Sequence, residues 1–225
     1  MGAAVARALA GRGYRVALHY NASRQDAEQV AAEIGGGACT FGANLAEPSA
    51  PAELIANVVR DCGSLAVLVN SASNFIRTPL DTVTPAEWDE IFAVNLRAPF
   101  FLALEASRHM TAGGGGCIVN MADLAAFETW PAWIPHGAAK AGIVHMTRAL
   151  ARQLAPHVRV NAIAPGVVLL PEHTSADASA RLASTTPLGR HGSPDDIVRA
   201  VEYLLDATFV TGDVLFVDGG RHVRQ

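Results

Sequence analysis

His136 and Lys140 stand four residues apart in the run Pro135-His136-Gly137-Ala138-Ala139-Lys140, a spacing that stacks both side chains on one face of a helix. An imidazole donates and accepts protons near neutral pH, and a cation one turn away acts on any group that must lose or gain a proton beside it. This pair is the first candidate for chemistry. Asp123 adds a carboxylate just after an apolar run, in Asn120-Met121-Ala122-Asp123. Asn95 sits inside a helix-favouring stretch, where asparagine has low propensity, so a specific role for its amide is expected. Phe75 offers a ring that can stack on a flat heterocycle, and Trp130 and Trp133 lie in the Ala- and Pro-rich approach to His136, where they could wall the same pocket.

The elements that must position these residues alternate. An Ala-rich helix runs from Met1 to Leu9, Gly11 and Gly13 break it, and a strand follows over Tyr14 to Tyr20. Next come a polar helix Arg24 to Ile34, a turn at Gly35-Gly36-Gly37, a strand Ala38 to Gly42 and a helix Pro51 to Cys62. Leu65 to Asn70 is a continuous apolar run of strand length, as in a strand buried on both faces of a parallel sheet. Thr84-Pro85-Ala86-Glu87 caps a long helix, Pro85 to Met110, whose apolar residues cover more than one face; a subunit interface accounts for the excess. Gly113 to Gly116 form a turn rather than a phosphate cradle, because they enter a strand, Cys117 to Met121. A helix Pro135 to Leu154, a strand Val158 to Ile163, a Pro- and Thr-rich stretch to Arg190, a helix Pro194 to Leu205 and a strand Val214 to Val217 complete the chain. The pattern is an α/β, doubly wound parallel sheet in three layers, a Rossmann-like fold whose ligands sit beyond the carboxyl ends of the strands.

Composition narrows the partner. With 225 residues, 50% of them hydrophobic, the chain builds one core and is read as a single domain, 1–225. A net charge of −4 without any Lys/Arg cluster argues against nucleic acid and against an anionic membrane, leaving a small-molecule substrate. Three scattered cysteines imply neither a disulfide framework nor a metal site. No apolar stretch approaches the roughly 20 residues of a membrane span, and a soluble, cytoplasmic protein is expected.

Asn70-Ser71-Ala72-Ser73 after one strand, Asp123 after the next, His136-Gly-Ala-Ala-Lys140 opening a helix, Asn161-Ala-Ile-Ala-Pro165-Gly166, and Val217-Asp218-Gly219-Gly220 near the end together resemble the short-chain dehydrogenase/reductase family along essentially the whole chain. Leu68 to Phe75, Thr78-Pro79-Leu80 and Asp123 at the usual serine position look most like the pteridine reductases. The resemblance implies an NADPH-dependent oxidoreductase reducing a pterin-like or other small carbonyl or imine substrate. It also implies a homo-oligomer, tetramer or dimer. His136 stands at the position of the tyrosine in the family's YxxxK motif, Lys140 at its lysine, which also holds the nicotinamide ribose, and Asn95 at the asparagine beside that lysine. Asp123 and His136 then form a candidate acid pair. Ser73 and Phe75 match positions that bond and stack a pterin. Residues 167–186 match the variable segment that covers the substrate.

The same resemblance assigns the cofactor contacts. An NAD-preferring site ends its second strand with an acid for the ribose hydroxyls, whereas here Tyr20-Asn21-Ala22-Ser23-Arg24 offers two small donors and an arginine and no carboxylate, which favours NADPH. Asn44-Leu45 fall beside adenine, and Asn70, Ser71, Ala72, Pro165 and Gly166 complete the expected cofactor-binding set. Gly2 matches the last glycine of TGxxxGxG, so the family's first strand and most of that loop are expected to be missing, leaving two strands without their common neighbour. Two other readings stay open: a 3-oxoacyl-thioester reductase, and a chain that lost efficient chemistry with its tyrosine and serves as a binding or partner subunit.

Overall fold

The computed structural model describes residues 1–170 and 174–223; of the predicted substrate-covering segment, residues 171–173 lie outside the described residues. The chain opens with α1 (Gly2–Gly11), followed by β1 (Ala17–Tyr20), α2 (Arg24–Ile34), β2 (Cys39–Gly42), α3 (Ala50–Cys62) and β3 (Val67–Asn70). Helix α4 (Pro85–Phe92) passes through a π-helical turn (Ala93–Arg97) into α5 (Ala98–Ala112). Then come β4 (Gly116–Met121), α6 (Ile134–Leu154), β5 (Val158–Pro165), α7 (Ala176–Ser184), α8 (Pro194–Asp206) and β6 (Val214–Val217). All pairings are parallel. They fall into two ladders, β1-β2 and β3-β4-β5-β6.

The ladders share one pair of cores, so the architecture is a single three-layer Rossmann-like α/β fold. Ile118 of β4, Val160 of β5, Leu68 of β3 and Ala17 of β1 contribute to a core with α3, α5 and α6; Val119, Ile163, Val67 and Leu18 contribute to the opposite core with α1 and α8. This period of two, carried through both ladders, is what a sheet buried on both faces requires. Among the described residues β1 pairs only with β2 and β3 only with β4.

Local chemistry explains where the elements depart from their predicted limits. The first strand begins at Ala17, not Tyr14, because the Tyr14 amide still caps α1: it donates to the Leu9 carbonyl (3.1 Å) across Gly13 at φ 84°, a left-handed helix stop. The single helix predicted over Pro85 to Met110 is broken by its π turn, and the capping box at Thr84 with Glu87 fixes its start. Its surplus of apolar surface is real, with Trp88, Phe100 and Phe101 all exposed. Helix α7 was not predicted; its signals are the Ser175 hydroxyl accepting from the Ala178 amide and an acid in the first turn. Gly113 to Gly116 form the predicted turn, and a side chain at Gly115 would lie 2.8 Å from the His157 carbonyl. Cys39, Cys62 and Cys117 are free thiols. Among the described residues no helix is long and apolar enough to cross a membrane, and no cluster of three or more ligating side chains is placed to hold a metal ion.

The β1-β2 ladder has four residues a strand, all outside the fully buried core, whereas β4 and β5 are flanked on both sides. Amide exchange under native conditions will therefore rank the two ladders: Val119 and Val160 exchange only by global unfolding, and β1 and β2 exchange by a local opening at least tenfold faster, about 1.4 kcal/mol or more below the global value.

Candidate active site

Side chains at the carboxyl ends of β3 and β4 lock the floor of the site. Asn70 and Asn120 are paired in register, and the Asn70 amide donates to Asn120 Oδ1 (2.9 Å), whose own amide donates to Thr147 Oγ on α6 (2.9 Å). All three are buried, where hydrogen-bonded side chains specify register more strictly than apolar packing does, and Asn70 Oδ1 alone is left without a partner. It holds α6 against β4.

The residues after β4 use that placement. Asp123 caps a single 3-10 turn (Leu124–Ala126), Oδ1 accepting from the Ala125 amide (2.9 Å), which leaves Oδ2 pointing to His136 Nε2 at 3.4 Å. Gly137 permits this approach: a Cβ there would sit 2.9 Å from the Ala125 carbonyl oxygen. His136 is only 1% exposed, and its Nδ1 is enclosed without a partner. Nε2 is thus the ring nitrogen with a polar partner, and it faces Asp123. At 3.4 Å that contact is loose, which leaves Nε2 able to engage an oxygen placed beside the carboxylate.

Lys140 lies one turn further along α6, buried to 4% exposure, and Nζ donates to the Met121 carbonyl (2.9 Å). It is the sole lysine in the sequence. Burial pulls its pKa down to about 8, with the nearby Asp123 charge opposing the fall. Asp123, His136 and Lys140, the three groups singled out in the sequence, are thus brought together at one place in the fold.

Asn95 sits in the π turn, a form that appears mostly as single turns at functional sites. Its amide donates to the Ile91 carbonyl (3.0 Å), to the Asn74 carbonyl (3.1 Å) and to Asn74 Oδ1. Ser73 Oγ donates to Asn95 Oδ1 (2.6 Å). Ser73 is therefore engaged in holding the loop after β3 to the helix, with its hydroxyl oxygen still able to accept. Phe75 is 56% exposed and stacks on Trp133 (centroids 5.4 Å, 12°), with its ring edge-on to Trp130 (6.3 Å) and to His136 (4.8 Å). Arg77 joins the cluster, 6.0 Å from the centre of the Trp133 ring. Beside the proton-bearing pair there is thus an open aromatic wall.

The remaining candidates line a groove along the strand ends. Gly2 opens α1, and a Cβ on it would lie 3.9 Å from Ser71 Oγ, so the start of that helix stands beside the loop Asn70-Ser71-Ala72, a setting suited to a phosphate. Asn21, Ser23 and Arg24 are exposed after β1, and Tyr20 lies against Gly42, which has no room for a side chain. Arg24 Nε is paired with Glu28 Oε1 (2.7 Å) on the surface of α2, an exposed pair of the kind worth little in water. The Asn44 side chain accepts from the Ala46 amide, and Leu45 is buried. Pro165 ends β5, and Gly166 packs so closely on Asp218 that a Cβ at Gly166 would lie 2.7 Å from the Asp218 Cα. These residues fit a dinucleotide: a helix start for the diphosphate, no carboxylate at the adenosine ribose, and a buried ammonium at the far end.

Known proteins share this architecture. The family model for enoyl-(acyl carrier protein) reductase matches residues 1–222. Ketoacyl reductase 2 assigned to the granaticin polyketide synthase of Streptomyces violaceoruber is 36% identical over 99% of this chain and 92% of its own. The 3-oxoacyl-(acyl-carrier-protein) reductase FabG of Staphylococcus aureus is 32% identical over 99% of this chain and 94% of its own. The crystal structure of a gluconate 5-dehydrogenase from Burkholderia cenocepacia, in complex with NADP and tartrate, superposes with a TM-score of 0.90 at 28% identity, covering 99% of this chain and 91% of that one. These relatives include ketoacyl reductases and no pteridine reductase, and the pterin resemblance drawn from the Leu68 to Phe75 segment is corrected to that extent.

Because Lys140 is the sole lysine, its titration is directly visible. Selective carbon-13 labelling of lysine gives one side-chain resonance, with a midpoint near pH 8. Asp123→Asn moves the midpoint lower still, since the carboxylate is what opposes the fall. A midpoint at the ordinary lysine value of about 10.4 would show that the ammonium is hydrated and not enclosed.

Proposed function

Because the chain belongs to the short-chain dehydrogenase/reductase family of oxidoreductases, we propose that it is an NADPH-dependent ketoreductase acting on a small carbonyl compound of the 3-oxoacyl-thioester type. The observation that carries this reading is the juxtaposition of Asp123, His136 and Lys140 at the ends of β4 and α6. The ketoacyl reductases among the relatives, and the solved relative with NADP, support the choice of substrate class and cofactor.

Bound reduced nicotinamide supplies the hydride. Around it, Lys140 holds the ribose and places positive charge beside the carbonyl oxygen as that oxygen becomes negative. The new alkoxide takes the proton of the His136 Nε2–H that Asp123 orients, and water reached at the part-exposed Asp123 carboxylate gives the ring its proton back, its hydroxide leaving to solvent, so that water is the net proton donor. The aromatic wall of Phe75, Trp130 and Trp133 keeps water from the other side of the carbonyl. Gly2, Ser71, Asn21 and Ser23 hold the diphosphate and adenosine phosphate. A parallel strand ahead of Gly2, pairing with both β1 and β3, belongs to the same proposal. Its test is an upstream-extended chain, which should show a higher unfolding midpoint. The exposed aromatic face of α4 and α5 supports assembly as a dimer or tetramer.

NADPH oxidation with acetoacetyl-coenzyme A tests the reading. The native chain turns over measurably, His136→Phe lowers kcat about 100-fold with NADPH affinity unchanged within about threefold, and His136→Tyr raises kcat about tenfold or more above native. Native turnover no faster than that of His136→Phe would make the chain a cofactor-binding subunit instead. Turnover of a dihydropterin but of no ketone would return the pterin assignment.

A further inference from the structure

Trp130 belongs to a stretch between β4 and α6 whose only regular structure is two short 3-10 turns, Leu124–Ala126 and Pro131–Trp133, yet its ring forms one edge of the wall beside the proton-bearing pair. Something outside that stretch must hold it. A half-buried indole N–H needs an acceptor, and Trp130 Nε1 donates to Glu128 Oε2 at 2.8 Å. The same carboxylate receives Arg221 as a fork, Nε on Oε1 and Nη2 on Oε2, each at 3.2 Å. The pair joins residues 93 apart in the chain, and its side chains are 19% and 26% exposed, so solvent screens it less than it does the surface pairs.

Arg221 is itself held. It follows β6 in a turn built on the buried carboxylate of Asp218, which accepts from the amides of Gly220 (2.9 Å) and His222 (2.6 Å) and from His222 Nδ1 (2.8 Å). The His222 ring stacks on Phe216 at 3.9 Å, and Phe216 leans on Phe127 at 4.7 Å. Two contacts therefore dock the turn after β6 onto the stretch that carries Trp130: Phe216 on Phe127, and Arg221 on Glu128. From Trp130 the contact passes to Phe75, and from Phe75 to His136.

We propose that Glu128 and Arg221 are positioning residues for the substrate: their ion pair fixes the Trp130 indole, so the turn after β6 sets how tightly the aromatic wall closes on the bound carbonyl compound. Neither residue reaches the proton-bearing pair, so their effect falls on substrate binding and not on the chemical step. The substrate arm of this inference rests on the ketoreductase reading; the arm that concerns the indole does not.

The experiment separates the two. Emission from Trp130 is obtained as the difference between each protein and the same protein carrying Trp130→Phe, which removes the contribution of Trp88 and Trp133. In Arg221→Met and Glu128→Ala the difference spectrum shifts to the red as the indole loses its acceptor or its anchor, and KM for acetoacetyl-coenzyme A rises about five- to tenfold with kcat within about twofold of native. Arg221→Lys, which keeps the charge and loses the fork, recovers only part of KM. Glu128→Gln is the milder change: its amide oxygen still accepts from the indole, so it separates loss of the charge from loss of fold. An unchanged difference spectrum, or kcat and KM falling in step with the unfolding midpoint, overturns the proposal and makes the pair structural only. Absence of any turnover in the native chain defeats the ketoreductase reading, and the difference spectra then still decide whether the pair holds the indole.

Discussion

One buried charge organises this molecule. The Lys140 ammonium is enclosed on α6 beside the end of β4, with the Met121 carbonyl as its hydrogen-bond acceptor and Asp123 as the opposing charge. Enclosing it is costly. The folded-state pKa near 8 lies below the ordinary lysine value, so at neutral pH the folded chain carries a penalty of a few kcal/mol that is relieved as pH rises from about 8 to about 10.5. A protein that tolerates this has its other interactions arranged around the site. The Asn70–Asn120–Thr147 chain pins α6 to the sheet, and Gly137 and Gly142 let α6 approach the Ala125 carbonyl and Leu96 without room for a methyl group. Small residues and buried amides are the structural counterpart of the enclosed ammonium.

The same constraint decides what can stand at position 136. A side chain there enters between the Asp123 turn and Phe75, and an imidazole fills the space with its Nδ1 enclosed and its Nε2 near the carboxylate. In the proposed reaction, proton delivery is then shared between two residues. That arrangement ties the chemistry to the shape of the segment from Asp123 to Trp133, since the same short stretch caps the acid, supplies the wall and leads into the helix bearing His136 and Lys140.

Much of this was legible in the residues. The four-residue step from His136 to Lys140, the asparagines ending two apolar runs and the β/α alternation each follow from local periodicity, and periodicity survives folding. What was not legible depends on partners that only the folded chain supplies. The Ser73 hydroxyl donates to Asn95, 22 residues on, and Arg24 pairs with Glu28, contacts that the sequence reading does not contain. Glu128 and Arg221 are ordinary charged residues in sequence, because a fork joining residues 93 apart leaves no local trace. Helix α7 was hidden for another reason: a short Ser- and Ala-rich helix has little apolar periodicity to show, and only its cap marks it.

The division of the sheet carries a last consequence for how the two ends of a ligand are sensed. The residues proposed to carry the chemistry sit on the four-stranded ladder, at the ends of β3, β4 and β5, while those suited to a phosphorylated adenosine lie on the two-stranded one, at the ends of β1 and β2. Among the described residues no ladder hydrogen bond joins the two, so they communicate through packing on the two shared cores and through α1, whose first turn stands beside Ser71 and whose flanks rest on α2 and α8. A ligand long enough to touch both ladders would bridge the place where the sheet has no ladder hydrogen bonds, and because it binds only the folded chain it would stabilise that arrangement by linkage.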